Sequence, residues 1–268
     1  MWNIAGRTCV ITGASRGIGR ATAEGLAERE AIIVAAGRPS AERSETLEAL
    51  RRYGPQHRAF DLDLASLESV RRAGEAIGAL GRVGALIANA GVAGPAPLTA
   101  DGFDRSFTVN HLGHFLLASI LFPQLAGGRL VVVSSNAHFD ALDWDCDNLP
   151  RRARATGFEA YRRSKLANVL FVREAARRWP AVKSVAVHPG MVASEIWRPV
   201  PQPIRWWLMR RMATPAEGAA HVIGATTAAE IENGGYYDQG RLRAPSRVAQ
   251  DERAAARLWA ASDRMAAN

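Results

Sequence analysis

Short apolar runs rich in valine, isoleucine and alanine recur through the sequence, each followed by a longer stretch in which apolar residues return every three or four positions. Runs of this length, closed by glycine or polar residues, are typical of strands buried on both faces of a sheet. We predict strands at Thr8–Thr12, 31–38, 58–63, 85–91, 128–135, 183–190 and 234–238.

The longer stretches predict helices, because their apolar spacing gives each helix one face to pack against a sheet. They follow the glycines of segment 13–19 and lie at 40–53, 65–80, 103–125, 161–179 and 251–266, and a further helix begins at a capping box formed by Thr214 and Glu217. Strands alternating with helices predict an α/β fold. We expect one Rossmann-type domain over residues 1–268, with a doubly wound parallel sheet of about seven strands.

The chain is basic, with a net charge of +8, but its charge is dispersed. The arginines often stand beside acids, and the sequence has no basic tail or basic-aromatic motif, so we expect no nucleic-acid partner. No apolar run approaches the ~20 residues of a membrane span. The first residues also lack the pattern of a signal peptide, so we expect a cytoplasmic protein.

Gly13, Gly17 and Gly19 lie between the first predicted strand and the helix that follows it. A glycine-rich turn in this position lets the backbone approach a pyrophosphate closely, and the helix N-terminus adds free N–H groups and the positive end of its dipole. The sequence therefore predicts a dinucleotide site here, in preference to a purely structural connection.

The end of the second predicted strand indicates which dinucleotide is bound. An NAD site usually has an acid there, about 20 residues beyond the glycines. This chain has Gly37-Arg38 instead, and Arg16 lies within the glycine turn. Two guanidinium groups with no nearby carboxylate can hold a 2′-phosphate. We predict NADP(H) in preference to NAD(H); the alternative is a pair of ordinary surface arginines.

Ligands of an open α/β sheet bind beyond the carboxyl ends of its strands. Three of those ends carry candidate residues, namely Asp63-Leu64, Asn89-Ala90-Gly91 and Ser134-Ser135. Asp63 and Leu64 suit capping of the next helix or contact with an adenine amino group, and the two roles are compatible. The small residues that follow Asn89 let the backbone lie against a cofactor, and Ser135 is placed to hydrogen-bond a substrate oxygen.

Tyr161 and Lys165 lie one turn apart on the same face of a predicted helix. A free phenol titrates near ~10, and a fixed ammonium beside it lowers its pKa toward the working range. Of the 34 lysine and arginine residues, only Lys165 and Lys183 are lysine. A compact ammonium can reach both hydroxyls of a ribose, whereas a guanidinium fork suits carboxylates and phosphates. The pair is therefore a candidate proton-transfer unit.

The predicted helix 103–125 contains a polar residue, Asn110, in apolar surroundings, with His111 and His114 close by. Asn110 is either a core amide with satisfied hydrogen bonds or a functional group. Two histidines without a carboxylate or a third ligand do not make a metal site, so we predict no metal.

Segment 195–213 interrupts the α/β pattern with prolines, tryptophans and arginines. It suits a lid over an apolar or bulky substrate. The alternative is a peripheral membrane contact made by its basic and aromatic residues.

Together, TGASRGIG, NAG, Asn110, Ser135, YRRSK and HPG resemble the motifs of the short-chain dehydrogenase/reductase superfamily over essentially the whole chain. Further runs, among them VNHLGHFLL, SKLANVLF and AVHPGMV, resemble its retinol-dehydrogenase-like branch. The resemblance implies an NADP(H)-dependent oxidoreductase that interconverts a small-molecule alcohol with an aldehyde or ketone. The alternative is a catalytically idle NADP(H)-binding sensor or scaffold, which the complete set of motif residues disfavours.

The resemblance also implies a role for each site residue. Tyr161 donates a proton to the carbonyl oxygen or accepts one from the alcohol, and Lys165 binds the nicotinamide ribose and lowers the pKa of Tyr161. Ser135 holds the substrate oxygen, and Asn110 supports a water in the proton relay. Cofactor contacts are implied for Gly13, Ser15, Arg16, Gly17, Ile18, Gly19, Arg38, Asp63, Leu64, Asn89, Ala90, Gly91, Tyr161, Lys165, Pro189, Gly190, Val192 and Ser194.

Members of this superfamily often pair through the helices that follow the fourth and fifth strands. These correspond to about 103–126 and 157–178 of this chain. The resemblance therefore implies a homodimer or homotetramer.

Overall fold

Strands in the described part of the chain form one eight-stranded sheet in the computed structural model, which describes residues 1–94, 97–141, 157–192 and 212–267. The strands are β1 Thr8–Thr12, β2 Ile32–Gly37, β3 Arg58–Asp61, β4 Ala85–Ala88, β5 Arg129–Val133, β6 Lys183–His188, β7 Tyr236–Asp238 and β8 Arg241–Arg243. Their order is β3-β2-β1-β4-β5-β6-β7-β8, parallel except for the β7–β8 pair. The order reverses between β1 and β4, where a doubly wound sheet opens a crevice.

Helices cover both faces of the sheet. They are α1 Gly17–Ala27, α2 Ala41–Leu50, α3 Leu67–Gly78, α4 Arg105–Phe107, α5 Gly113–Leu121, α6 Gly157–Arg178, α7 Pro215–Thr227 and α8 Glu252–Ala267. A π-helical turn at Thr108–Leu112 joins α4 to α5, and a 3-10 turn at Asn136–Asp140 follows β5. Within the described ranges, no helix is both long enough and apolar enough to cross a membrane.

The alternation of side chains along the strands builds a separate apolar layer on each face of the sheet. Val10, Leu86 and Val132 belong to the layer beneath α3, α5, α6 and α8. Their neighbours Ile11, Ile87 and others pack on the opposite face against α1 and α7. The strands are therefore buried on both faces, as their continuous apolar sequences predict.

The structure has one strand more than the sequence predicts. β8 consists of Arg241, Leu242 and Arg243, all exposed, so no apolar run marks it. It forms because Gln239 and Gly240 both have positive φ, +49° and +81°, which turns the chain back as a two-residue hairpin after β7. The predicted strands themselves are confirmed, and most are shorter than predicted.

Two helix predictions need correction. The predicted helix 103–125 is divided by the π-helical turn at Thr108–Leu112 and ends at Leu121. Helix α3 is capped by Ser66, whose side chain accepts from Ser69 N, and not by Asp63 or Leu64. The predicted capping box of α7 is confirmed, because Thr214 Oγ1 accepts from Glu217 N and Glu217 Oε2 accepts from Thr214 N.

Candidate active site

A cleft of about 1040 Å³ opens at the carboxyl ends of the parallel strands. The predicted site residues that line it are Gly13, Ser15, Arg16, Gly17, Ile18, Gly19, Arg38, Asp63, Leu64, Asn89, Ala90, Gly91, Ser135, Tyr161, Lys165, Pro189, Gly190 and Val192. Asn110 is fully buried behind the cleft wall. Ser194 and most of the predicted lid lie outside the described residues.

The glycine turn packs closely against its own backbone and segment 89–90, which a side chain at Gly13 or Gly19 would prevent. Gly13 and Gly17 have φ of +67° and +56°, which favours glycine. A Cβ atom at Gly19 would lie 2.2 Å from the carbonyl oxygen of Gly13 and 2.5 Å from Asn89 Nδ2. Helix α1 begins at Gly17, and its N-cap residue Arg16 makes no side-chain capping bond. The cradle fits a pyrophosphate, whose oxygens such a helix terminus can bind.

Arg38 lines the cleft directly after β2, together with Ser40, which caps α2, and Arg16 of the glycine turn lines the same cleft. The prediction that no carboxylate lies nearby is wrong. Glu42, in the first turn of α2, also lines the cleft and interacts electrostatically with Arg16. A hydrogen bond from its own backbone and one from Ser40 lower the pKa of Glu42, so it is ionised at neutral pH.

Segment 89–92, which follows β4, forms the wall of the cleft next to the glycine turn. Its first two backbone N–H groups donate to Thr12 Oγ1, at 3.0 Å each. The side chain of Asn89 donates to the carbonyl oxygen of Thr12 at 2.8 Å. At Gly91, a Cβ atom would lie 3.3 Å from Asn110 Oδ1 and 3.5 Å from Lys165 Nζ. Glycine there brings the backbone against both groups.

Tyr161 of α6 and Ser135 after β5 both line the cleft, and the Ser135 side chain lies close enough to Tyr161 to affect its pKa. Tyr161 is 8% exposed. Burial raises the pKa of Tyr161 to about 12, and the Ser135 side chain opposes this rise. The predicted lowering of the Tyr161 pKa is therefore wrong, because the cost of burying a phenolate outweighs the interactions that stabilise it.

Lys165 lies one turn after Tyr161 and is buried. Its Nζ donates to the carbonyl oxygen of Val133 at 3.0 Å and lies 5.5 Å from the centre of the Tyr161 ring. Burial lowers the pKa of Lys165 to about 8. The ammonium is thus fixed beside the tyrosine by the end of β5, as a cation held over a ring face.

The side chain of Asn110 is fully engaged with protein groups. Its Oδ1 accepts from Val92 N at 2.7 Å, and its Nδ2 donates to Val92 O at 2.9 Å and to Ser164 Oγ at 2.8 Å. Ser164 in turn donates to the carbonyl oxygen of Tyr161. Asn110 therefore joins the cleft wall to the helix that carries Tyr161.

Apolar residues that the sequence did not single out line the mouth of the cleft. Phe158 and Met191 are 48% and 55% exposed. The ring of Phe158 lies 6.1 Å from that of Tyr161, and the Arg162 guanidinium lies over the Phe158 ring, 4.6 Å from its centre. The position of Phe158, three residues before Tyr161 and on the same helix face, was the available indication.

A dinucleotide cradle that shares its cleft with a tyrosine–lysine pair, at the point where the strand order reverses, defines a nicotinamide-dependent oxidoreductase of the α/β class. The model of the short chain dehydrogenase family matches residues 7–204 of the sequence. The chain belongs to the short-chain dehydrogenase/reductase family, in its retinol-dehydrogenase-like branch, and is an oxidoreductase acting on CH–OH groups.

Its relatives include bacterial and animal enzymes. A Streptomyces protein (strain C5) to which daunorubicin C-13 ketoreductase activity is ascribed is 40% identical over 96% of this chain and 91% of its own. Human retinol dehydrogenase 13 is 37% identical over 98% of this chain and 85% of its own.

Solved structures agree with the fold. A Mycobacterium paratuberculosis protein superposes with a TM-score of 0.82 at 33% identity, over 100% of this chain and 96% of its own. The NADP complex of Pseudomonas aeruginosa RhlG superposes with a TM-score of 0.72 at 27% identity, over 89% of this chain and 97% of its own.

Proposed function

We propose that this protein is an NADP(H)-dependent enzyme that interconverts an alcohol with an aldehyde or ketone, and that Tyr161 is the proton donor or acceptor. The observation that carries the proposal is the meeting of Tyr161, Ser135 and Lys165 in the same cleft as the glycine cradle. A substrate oxygen held by Ser135 would lie near the Tyr161 phenol, because both side chains line the same cleft and Ser135 is close enough to influence the pKa of Tyr161.

A bound nicotinamide cofactor would supply the hydride for reduction and accept it in the reverse direction. In the reductive direction, Tyr161 gives its phenolic proton to the substrate oxygen while the carbonyl carbon gains the hydride, so that C=O becomes CH–OH. Ser135 orients that oxygen. Because the pKa of Tyr161 is raised to about 12, its phenol carries a proton at neutral pH. The resting side chain is therefore in the form that donates a proton to a carbonyl oxygen.

Preference for NADP(H) over NAD(H) is supported by two arginines that line the cleft. Arg38 follows β2, where an NAD site would have an acid, and Arg16 lies in the glycine turn. Glu42 lies on the same wall and opposes a 2′-phosphate unless Arg16 pairs with it. The related RhlG structure contains NADP, which is in line with the proposal.

An apolar or bulky substrate is supported by the exposed Phe158 and Met191 at the cleft mouth. Segment 195–213 is the proposed lid. Its described end is held at the cleft, because Ala213 N donates to Met191 O at 2.9 Å and residues 192 and 213 form a β-bridge. The named activities of two relatives, on the C-13 ketone of daunorubicin and on retinol, suggest polycyclic ketones and retinal as first test substrates.

The test is NADPH oxidation by the wild type and by Tyr161→Phe with a panel of polycyclic ketones, apolar aldehydes and retinal, with NADH in parallel. We expect Tyr161→Phe to lose turnover by about 10²-fold or more, since a positioned acid contributes that much, while the Kd for NADPH stays unchanged. Tyr53→Phe is the matched control, because its hydroxyl bonds Glu28 outside the cleft.

Full activity in Tyr161→Phe would overturn the assignment of the proton donor. Tight NADPH binding by the wild type with no turnover of any carbonyl compound would overturn the enzymatic proposal and favour the sensor or scaffold.

A further inference from the structure

His114 of α5 is buried behind the cleft wall, and both of its ring nitrogens are engaged. Nδ1 lies 3.1 Å from the carbonyl oxygen of Asn110, and Nε2 lies 2.8 Å from Thr12 Oγ1. A carbonyl oxygen only accepts, so Nδ1 must carry the hydrogen. In the neutral ring Nε2 then accepts, and the donor is the Thr12 hydroxyl.

Thr12 holds the start of segment 89–92. Its Oγ1 accepts the N–H groups of Asn89 and Ala90, which leaves the hydroxyl hydrogen for another acceptor. His114 Nε2, at 2.8 Å, is much closer than the alternative, the Ile87 carbonyl oxygen at 3.5 Å. His114 therefore fixes the orientation of the Thr12 hydroxyl toward segment 89–92.

Asn110 holds the other end of the segment, through two hydrogen bonds with the backbone of Val92. Between the two clamps lies Gly91, against Lys165. The imidazole of His114 is bonded to both residues that hold this segment, to the Thr12 hydroxyl and to the Asn110 backbone carbonyl oxygen. Thr12 is 102 residues away along the chain, and Asn110 is one helical turn away. Few residues could do this, because the bridge needs a donor and an acceptor on one rigid ring.

We propose that His114 is a positioning residue whose two ring nitrogens serve separate functions: Nε2 fixes the cofactor-binding turn through Thr12, and Nδ1 fixes Asn110 beside Lys165 and Tyr161. The catalytic half of this inference rests on the function proposed above. The ring is neutral in the working range, because burial lowers the pKa of His114 to about 4, and the positive charge of Lys165 acts in the same direction.

Two substitutions separate the two bonds. In His114→Asn the amide can take the place of Nδ1 and keep the bond to the Asn110 carbonyl, while the acceptor for Thr12 is lost. In His114→Gln the amide oxygen can take the place of Nε2 and keep the bond to Thr12, while the donor to Asn110 is lost. Loss of one hydrogen bond to a buried group corresponds to about a tenfold effect.

We expect His114→Asn to raise the Kd for NADPH by about tenfold, with kcat at saturating NADPH within about twofold of the wild type. We expect the opposite split in His114→Gln, with kcat lowered by about tenfold and the Kd for NADPH within about twofold. His111→Asn and His111→Gln are the matched controls. His111 is equally buried, but its Nε2 bonds Ser262 of α8, away from the cleft.

The thermal midpoint of every variant separates a folding defect from the proposed role. If the two His114 variants lose kcat and cofactor affinity together, and to the same extent as their His111 counterparts, the role is only structural and the proposal fails. The tautomer is checked in the wild type by ¹⁵N NMR of the histidine rings, which needs no variant. The proposal requires an Nδ1–H ring at His114 that does not titrate between pH 5 and 8.

An Nε2–H ring, or a charged ring in that range, would overturn the proposal even if the variants did not fold. The Kd and NMR results do not depend on turnover. Failure of the proposed enzymatic function is therefore distinguishable from failure of the role of His114.

Discussion

Burial acts on Tyr161 and Lys165 in opposite directions, because it disfavours the charged form of each. It raises the pKa of Tyr161 to about 12 and lowers that of Lys165 to about 8. At neutral pH the pair therefore consists of a phenol and an ammonium 5.5 Å from the ring centre. In this state Tyr161 can donate a proton at once. To accept one in alcohol oxidation it must first become a phenolate, and the Lys165 ammonium lies beside the ring on which that charge would form.

Arg38 allows a test of cofactor preference at a single side chain. Arg38→Ala should raise the KM for NADPH by about tenfold or more and leave the KM for NADH within about twofold, because a guanidinium–phosphate bond exists only with the 2′-phosphate. Initial rates with both cofactors and one carbonyl substrate measure this. Arg241→Ala is the matched control, since it removes the same charge from an exposed position on β8.

Glu42→Gln is the companion variant, because it removes the carboxylate on the same wall of the cleft. It should lower the KM for NADPH and leave that for NADH unchanged. An equal loss with both cofactors in Arg38→Ala would show that Arg38 does not contact a 2′-phosphate.

The connection from β1 to α1 depends on Gly19, and Gly224, a glycine in another helix, provides the control for its substitution. Gly19→Ala should abolish measurable NADPH binding and lower the thermal midpoint, because its Cβ would lie 2.2 Å from the Gly13 carbonyl oxygen. Gly224→Ala in α7 should instead stabilise the protein by about 0.5–1 kcal/mol, since nothing lies within 4 Å of its Cβ and alanine favours helix.

Thermal unfolding and fluorescence titration with NADPH measure both variants. Wild-type NADPH affinity in Gly19→Ala would contradict the close packing of the turn against Gly13 and Asn89. A loss of stability in Gly224→Ala would show that the space around α7 is smaller than described.

The strands were predictable because burial on both faces requires unbroken apolar runs, such as CVIT in β1 and LVVV in β5. β8 was not, because it is exposed and depends on the positive φ of Gln239 and Gly240. The π-helical turn at Thr108–Leu112 was also not predictable, since its apolar residues fit an α-helix equally well.

The candidate site was predictable where its residues lie in short local motifs, as in the glycine turn and the Tyr161–Lys165 pair. It was not predictable where the contact joins distant parts of the chain. The bond between His114 and Thr12 spans 102 positions, and neither residue carries a motif for it. Glu42 was missed for the same reason, because its interaction with Arg16 joins the first turn of α2 to the glycine turn.

The C-terminal helix α8 packs over α5 and α6, the helices that were predicted to contact a second subunit. Trp259 of α8 lies 5.0 Å from Phe115 of α5, 5.8 Å from Phe171 of α6 and 4.9 Å from Trp179, measured between ring centres. His111 adds a hydrogen bond to Ser262. No residue from 113 to 121 or from 161 to 175 is exposed. The central parts of the helices that were predicted to pair with a second subunit are thus covered by their own chain.

We therefore expect a monomer of 28.9 kDa rather than the homodimer or homotetramer implied by the resemblance. A stable interface needs roughly 800 Å² from each partner, and α8 occupies the face that would supply it. Light scattering after size exclusion, over a hundredfold range of protein concentration, measures the mass directly.

Trp259→Ala should cost about 3 kcal/mol in the free energy of unfolding, the low end for loss of a packed tryptophan, and Arg257→Ala on the exposed side of α8 should cost little. A dimer mass at every concentration would contradict the expectation. If that dimer persisted in Trp259→Ala, it would place the subunit interface on a surface other than the one that α8 covers.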